Sequence, residues 1–86
     1  MRWRAVVAVE LKPGVLDPQG EAVREALRRM GHDHVSDVRV GKRIQLLLEA
    51  AEEGEARARV RDICESLLVN PVLERYAFDI EPEGER

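Results

Sequence analysis

Cysteine occurs once in this sequence, at Cys64, so no disulfide can close within the chain, and such usage fits a reducing compartment. Aromatic side chains are almost as scarce, with Trp3, Tyr76 and Phe78 making up the set. With so few stacking platforms and a net charge of -3, the chain lacks the basic surface and exposed rings of a nucleic-acid module. No apolar run approaches the roughly 20 residues a membrane span requires, and the first residues contain no signal-like apolar core. These absences lead to the expectation of a cytoplasmic protein with neither nucleic-acid nor membrane partners. What is present is ordinary for a globular domain: 44% of the residues are hydrophobic and 36% charged. At 86 residues there is room for one core. A chain of that size buries only about 60% of its unfolded surface, so association would add materially to its stability.

The apolar pattern divides the chain into elements. In the first dozen residues Trp3, Ala5, Val7, Val9 and Leu11 share one side of an extended run, while Val6 and Ala8 make the centre of the other side apolar. A strand apolar on both faces at its middle is an inner strand. Residues 14–20 must then turn the chain and open a helix. The Asp17 carboxylate can accept from first-turn amides, and Pro18 suits the first helical position because its missing N–H had no partner there. Ala22, Val23, Ala26, Leu27 and Met30 come next on one helical face, and Gly31 can take the left-handed conformation that ends the helix. Strands are expected over residues 35–40 and 44–49. If residues 41–43 form a three-residue loop, Val40 faces Ile44, Val38 faces Leu46 and Ser36 faces Leu48, which keeps each face consistent; Gly41 is the turn residue of that hairpin. Val60, Ile63, Cys64, Leu67 and Leu68 form the stripe of a second helix, which Pro71 should stop near Val69. Tyr76, Phe78 and Ile80 alternate in a last strand.

The order strand, helix, strand, strand, helix, strand predicts an α+β fold in which two helices cover one face of a four-stranded, mostly antiparallel sheet. Residues 1–81 form the single domain, and residues 82–86 form a charged tail expected to be mobile. Val6, Ala8 and Leu47 fall on the uncovered side of the sheet, which predicts oligomerisation through the sheet.

Motifs with chemical potential are few. His32 and His34 flank Asp33, but metal binding needs three or four convergent ligands, so these read as loop residues. Cys64 lies on an apolar stripe without basic neighbours and reads as a buried thiol. The Gly41-Lys42-Arg43 run lacks the spacing of a nucleotide loop and reads as a charged hairpin tip, which also suits protein contact. Glu52, Glu53 and Glu55 suit the electropositive start of a helix. No serine, cysteine or lysine stands beside a credible base, so no catalytic, cofactor-binding or metal-ligating residue is assigned.

Residues 11–20, Leu-Lys-Pro-Gly-Val-Leu-Asp-Pro-Gln-Gly, resemble the opening signature of the PurS family, the small subunit of formylglycinamide ribonucleotide amidotransferase in purine biosynthesis. The resemblance returns at residues 37–42, Asp-Val-Arg-Val-Gly-Lys, and at residues 67–74, Leu-Leu-Val-Asn-Pro-Val-Leu-Glu. It implies a non-catalytic subunit of an ATP-dependent, glutamine-hydrolysing ligase. In that assembly a large synthetase subunit binds ATP and formylglycinamide ribonucleotide, a glutaminase subunit releases ammonia, and the small subunit self-associates as a dimer or tetramer and bridges the two. The complex would use ATP, Mg and glutamine, and this chain would bind none of them. Arg39, Lys42 and Asn70 are the expected partner contacts, being the polar, turn-located members of the matching segments. A regulatory domain of similar architecture, binding a small metabolite at an oligomer interface, is the alternative. A small phosphatase of similar topology would need an arginine in the loop after the first strand, and residues 14–20 contain none.

Overall fold

The computed structural model describes residues 1–84. Its elements are β1 (Arg2–Leu11), α1 (Pro18–Arg29), β2 (Lys42–Glu49), α2 (Glu53–Ile63), which runs on into a π-helical turn (Cys64–Leu68), and β3 (Glu74–Pro82). The α+β class and the antiparallel sheet agree with the sequence pattern. β1 is the inner strand, with β2 and β3 antiparallel on either side of it. Its alternation sets the core: Trp3, Ala5, Val7 and Val9 are buried, and Val7 lies between Ile44 and Phe78 of the flanking strands. Burying a valine of this kind contributes about 2 kcal/mol. α2 and the π-helical turn after it close the core with Ala56, Val60 and Cys64, all without measurable exposure. The indole of Trp3 donates to the Ala50 carbonyl at 3.2 Å and so fixes the corner where β2 gives way to α2.

The end of the second helix departs from a regular stripe. A π turn admits one extra residue and rotates the next side chains by about 100° relative to the α phase. Leu68 stays on the core, whereas Leu67 is left 79% exposed. β3 extends to Pro82, one residue past the expected domain boundary. The Glu83 N–H donates to the Arg2 carbonyl, and Glu85 and Arg86 of the expected tail lie outside the described residues.

The second expected strand requires correction. Among the described residues, 35–40 belong to no strand, the sheet has three strands rather than four, and no hairpin closes at Gly41. A Cβ on Gly41 would lie 2.4 Å from the Val9 carbonyl oxygen, so the residue is needed there for close passage rather than for a reversal. The segment is then tied back to the helix that precedes it. Val40 N–H donates to Asp17, His32 N–H donates to the Leu27 carbonyl, and the Val38 carbonyl passes against Gly20. α1 and residues 32–40 therefore form an arm at the end of the sheet, and α1 makes no extensive contact with any strand. The radius of gyration, 16.8 Å, reflects this arm. A compact chain of this length would measure about 12 Å.

Gly20→Ala tests the arm's internal docking. Alanine favours a helix by at most about 1 kcal/mol, but its Cβ would sit 2.2 Å from a backbone oxygen that cannot yield. The expected outcome is faster amide exchange at Val40 with β1 amides unchanged. Unchanged exchange at Val40 would show that the contact is not formed.

Candidate functional site: the turn-rich corner

All three segments singled out in the sequence converge on one corner, where β1 ends and β3 begins. Asp17 is its centre. As the N-cap of α1 it accepts from Gly20 N–H at 2.9 Å through one carboxylate oxygen, while the other accepts from Val40 N–H at 2.9 Å. These two amides, assisted by the Arg39 guanidinium, hold its carboxyl below the ordinary aspartate range. Arg39 grips the turn as well, donating to the carbonyls of Lys12 at 3.0 Å and of Leu11 and Val15 at 3.3 Å.

The third segment closes against the first. Lys12 N–H donates to the Leu73 carbonyl at 2.8 Å, and the Lys12 ammonium donates to the Pro71 carbonyl at 2.6 Å. Asn70 accepts from Val72 N–H, and its own N–H donates to Glu74. Lys42 stands 3.8 Å from the Glu74 carboxylate. Arg39, Lys42 and Asn70, the expected partner contacts, all lie at this corner, and each is engaged within the chain. Arg39 and Asn70 shape the corner, and Lys42 remains a half-exposed charge on it. Gly14 and Gly31 adopt left-handed conformations, at φ 88° and 97°, and Gly31 comes directly after the Met30 cap of α1.

What the corner presents outward is apolar. Leu16 is 78% exposed and Val72 75%, with Leu73 partly exposed beside them. Single leucines and valines in a sequence give no period to read; their one signal is an apolar residue within two positions of a Pro in a turn. Next to the corner lies an open groove of about 560 Å³ lined by Lys12, Glu65, Val69, Pro71, Glu74, Arg75 and Tyr76. Its polar groups are largely matched to one another: the Tyr76 hydroxyl donates to Glu65 at 3.0 Å, and Arg75 pairs with Glu10 at 2.7 Å. Burial, with the hydrogen bond to Glu65 second, raises the phenol above its usual range.

Away from the corner, His32 and His34 meet edge to face at 5.9 Å in an exposed loop. Among the described residues no three His, Cys, Asp or Glu side chains gather as a metal site. Cys64 is buried, which raises its thiol pKa. Glu55 accepts from Ala51 N–H at the start of α2, and that bond, with Arg59 second, lowers its pKa. No helix among the described residues is long and apolar enough to cross a membrane.

A family profile described as PurS, phosphoribosylformylglycinamidine (FGAM) synthase, matches residues 4–82. The phosphoribosylformylglycinamidine synthase subunit PurS of Synechocystis is 47% identical over 74 residues, spanning 86% of this chain and 74% of that protein. The Thermus thermophilus PurS structure superposes with a TM-score of 0.86 at 39% identity, over 98% of this chain and all of that one. A chain in the PurLQS structure from Thermotoga maritima gives 0.86 at 34% identity, over 94% of this chain and 99% of that chain.

The Asp17 knot has a pH signature. A carboxyl whose folded pKa lies below the ordinary value of 3.8 stabilises the fold fully above that value. It loses its contribution as pH falls through 3.8 toward the lower folded pKa. Asp17→Asn keeps one acceptor and loses the charge. The stability gap between parent and variant, from thermal melts, is expected to be flat above about pH 6 and to shrink below about pH 4. A gap independent of pH would contradict the assignment.

Proposed function

The chain belongs to the PurS family of phosphoribosylformylglycinamidine synthase subunits, and on that premise we propose that it is the bridging subunit joining glutaminase to synthetase. It is a subunit of that purine-biosynthetic ligase, working in the cytoplasm and in more than one copy per complex. The ATP, Mg and glutamine are handled by the two larger partners, and this chain holds none of them. Ammonia is small and diffuses freely, so its transfer depends on two active sites kept in register with bulk water excluded. Surface and rigidity are sufficient for that task.

The observation that carries this reading is how the corner uses its polar groups. Asp17, Arg39, Lys12 and Asn70 satisfy one another or nearby backbone, leaving no nucleophile beside a base, while Leu16 and Val72 face outward. Such a surface suits docking better than chemistry. Lys42 supplies a charge at its rim, and Arg39 and Asn70 keep its shape.

Leu16→Asp and Val72→Asp replace exposed side chains, so the melting temperature should hold. Affinity for the glutaminase–synthetase pair, by interferometry on purified subunits, is expected to fall about tenfold or more for each. Lys42→Glu should slow association and weaken its salt dependence. Parental affinity in both apolar variants would place the partner contact elsewhere.

A further inference from the structure

We propose that the outer edge of β3 accepts an extended segment of another protein as an added strand, with two acidic side chains of that segment seated on Arg57 and Arg61. Such a site goes beyond the bridging role and does not depend on it. β3 has β1 on one side only. The Glu83 N–H donates to the Arg2 carbonyl and the Lys12 N–H to the Leu73 carbonyl, so the odd-numbered residues of β3 turn their backbone groups toward β1. The even-numbered groups then point outward. The Glu74 N–H is taken by the Asn70 carbonyl, and Pro82 has no N–H to offer. Tyr76, Phe78 and Ile80 remain, three evenly spaced donors that no group among the described residues accepts, each with an outward carbonyl beside it. Beyond Tyr76 the edge opens onto the groove of about 560 Å³, which leaves room for a chain to enter.

The side chains along this edge set the chemistry of the occupant. On the inner face Tyr76, Phe78 and Ile80 are half-buried, with the Tyr76 and Phe78 rings stacked at 6.4 Å between centroids. α2 packs on β3 and β1 and holds Arg57 and Arg61 over that face, each guanidinium 6.0 Å from the centre of the Phe78 ring. Arg57 pairs with Glu53 at 2.9 Å, whereas the exposed Arg61 meets no carboxylate among the described residues. Residues four apart on a helix are separated by about 6.0 Å along its axis, and residues two apart on a strand by about 6.8 Å. Two carboxylates at alternate positions of an added strand therefore match the two arginines. On the outer face Asp79 and Glu81 are exposed, so the intervening positions favour basic side chains. A second copy of β3 fits poorly. Pairing about a two-fold axis at Phe78 would crowd the Arg57 and Arg61 guanidiniums of both copies onto one pair of rings. In strand addition the main chain supplies affinity and the alternating side chains supply selectivity, which this edge divides between its three amides and its two arginines.

Residue-resolved amide exchange on the purified full chain tests the site, with the end-blocked peptide Val-Lys-Glu-Thr-Glu-Lys-Val as the probe. The control peptide, Val-Glu-Lys-Thr-Lys-Glu-Val, has the same composition and net charge but places its lysines on the face that would meet Arg57 and Arg61. At saturating probe, exchange at Tyr76, Phe78 and Ile80 is expected to slow by about tenfold or more. Ala77 and Asp79, already turned toward β1, should not change. The control peptide is expected to bind about tenfold more weakly than the probe. Arg61 is an exposed side chain, so Arg61→Glu should fold, and it should weaken probe binding by about tenfold. Unchanged exchange at the three even-numbered amides, equal affinity for the two peptides, or parental affinity in Arg61→Glu would each overturn the proposal. Protection of those amides in the chain alone, rising with protein concentration, would give the edge to a second copy and overturn it as well.

Discussion

The Asp17 carboxylate joins two parts of the chain that are 23 residues apart in sequence. One oxygen caps α1 and the other holds Val40, so the helix start and the extended run before β2 share a single anchor. Two amide donors favour the ionised form, and Arg39 reinforces it while gripping the turn carbonyls. From this anchor the arm takes its direction. Residues 35–40 cannot fold back along β2 while Val40 is bonded to Asp17, Val38 is packed against Gly20, and Gly41 passes within reach of the Val9 carbonyl. The apolar side of α1 is exposed as a consequence, and an exposed stripe of that kind calls for a second molecule.

Much of this was legible in the sequence because it depends on local rules. β1 reads as an inner strand from Val6 and Ala8 alone, and the Asp17-Pro18 pair marks the start of α1 by its chemistry. Pro71 ends the second helix within a residue of its expected stop. The missed features depend on relations that no local window contains. Alternation over residues 35–49 shows which side chains share a face; it does not show whether the two halves of the run lie side by side, and in the chain they do not. Leu67 lies in phase with the α2 stripe, but the π turn at Cys64–Leu68 shifts the phase and turns it outward.

The corner was legible in its polar members and illegible in its apolar ones. Arg39, Lys42 and Asn70 draw notice as charged or turn-forming residues, and they do lie at one corner. Their bonds are nevertheless made within the chain, while Leu16 and Val72, which look like stray hydrophobics in the sequence, form the exposed part. Polar groups that satisfy each other fix the shape of a surface, and apolar groups left outside give it adhesion. That division of labour suits a subunit whose contribution to a ligase is geometric.

A purely geometric role separates two ways of supplying nitrogen to the ligase. The most direct measurement is FGAM formation by the synthetase and glutaminase subunits, with and without this chain, once with glutamine and once with ammonium salt as the nitrogen source. If the chain is a bracket that keeps two active sites in register, adding it raises the glutamine-supported rate and leaves the ammonia-supported rate at saturating ammonium unchanged. An equal rise with both nitrogen sources, or turnover of any substrate by the chain alone, would contradict it.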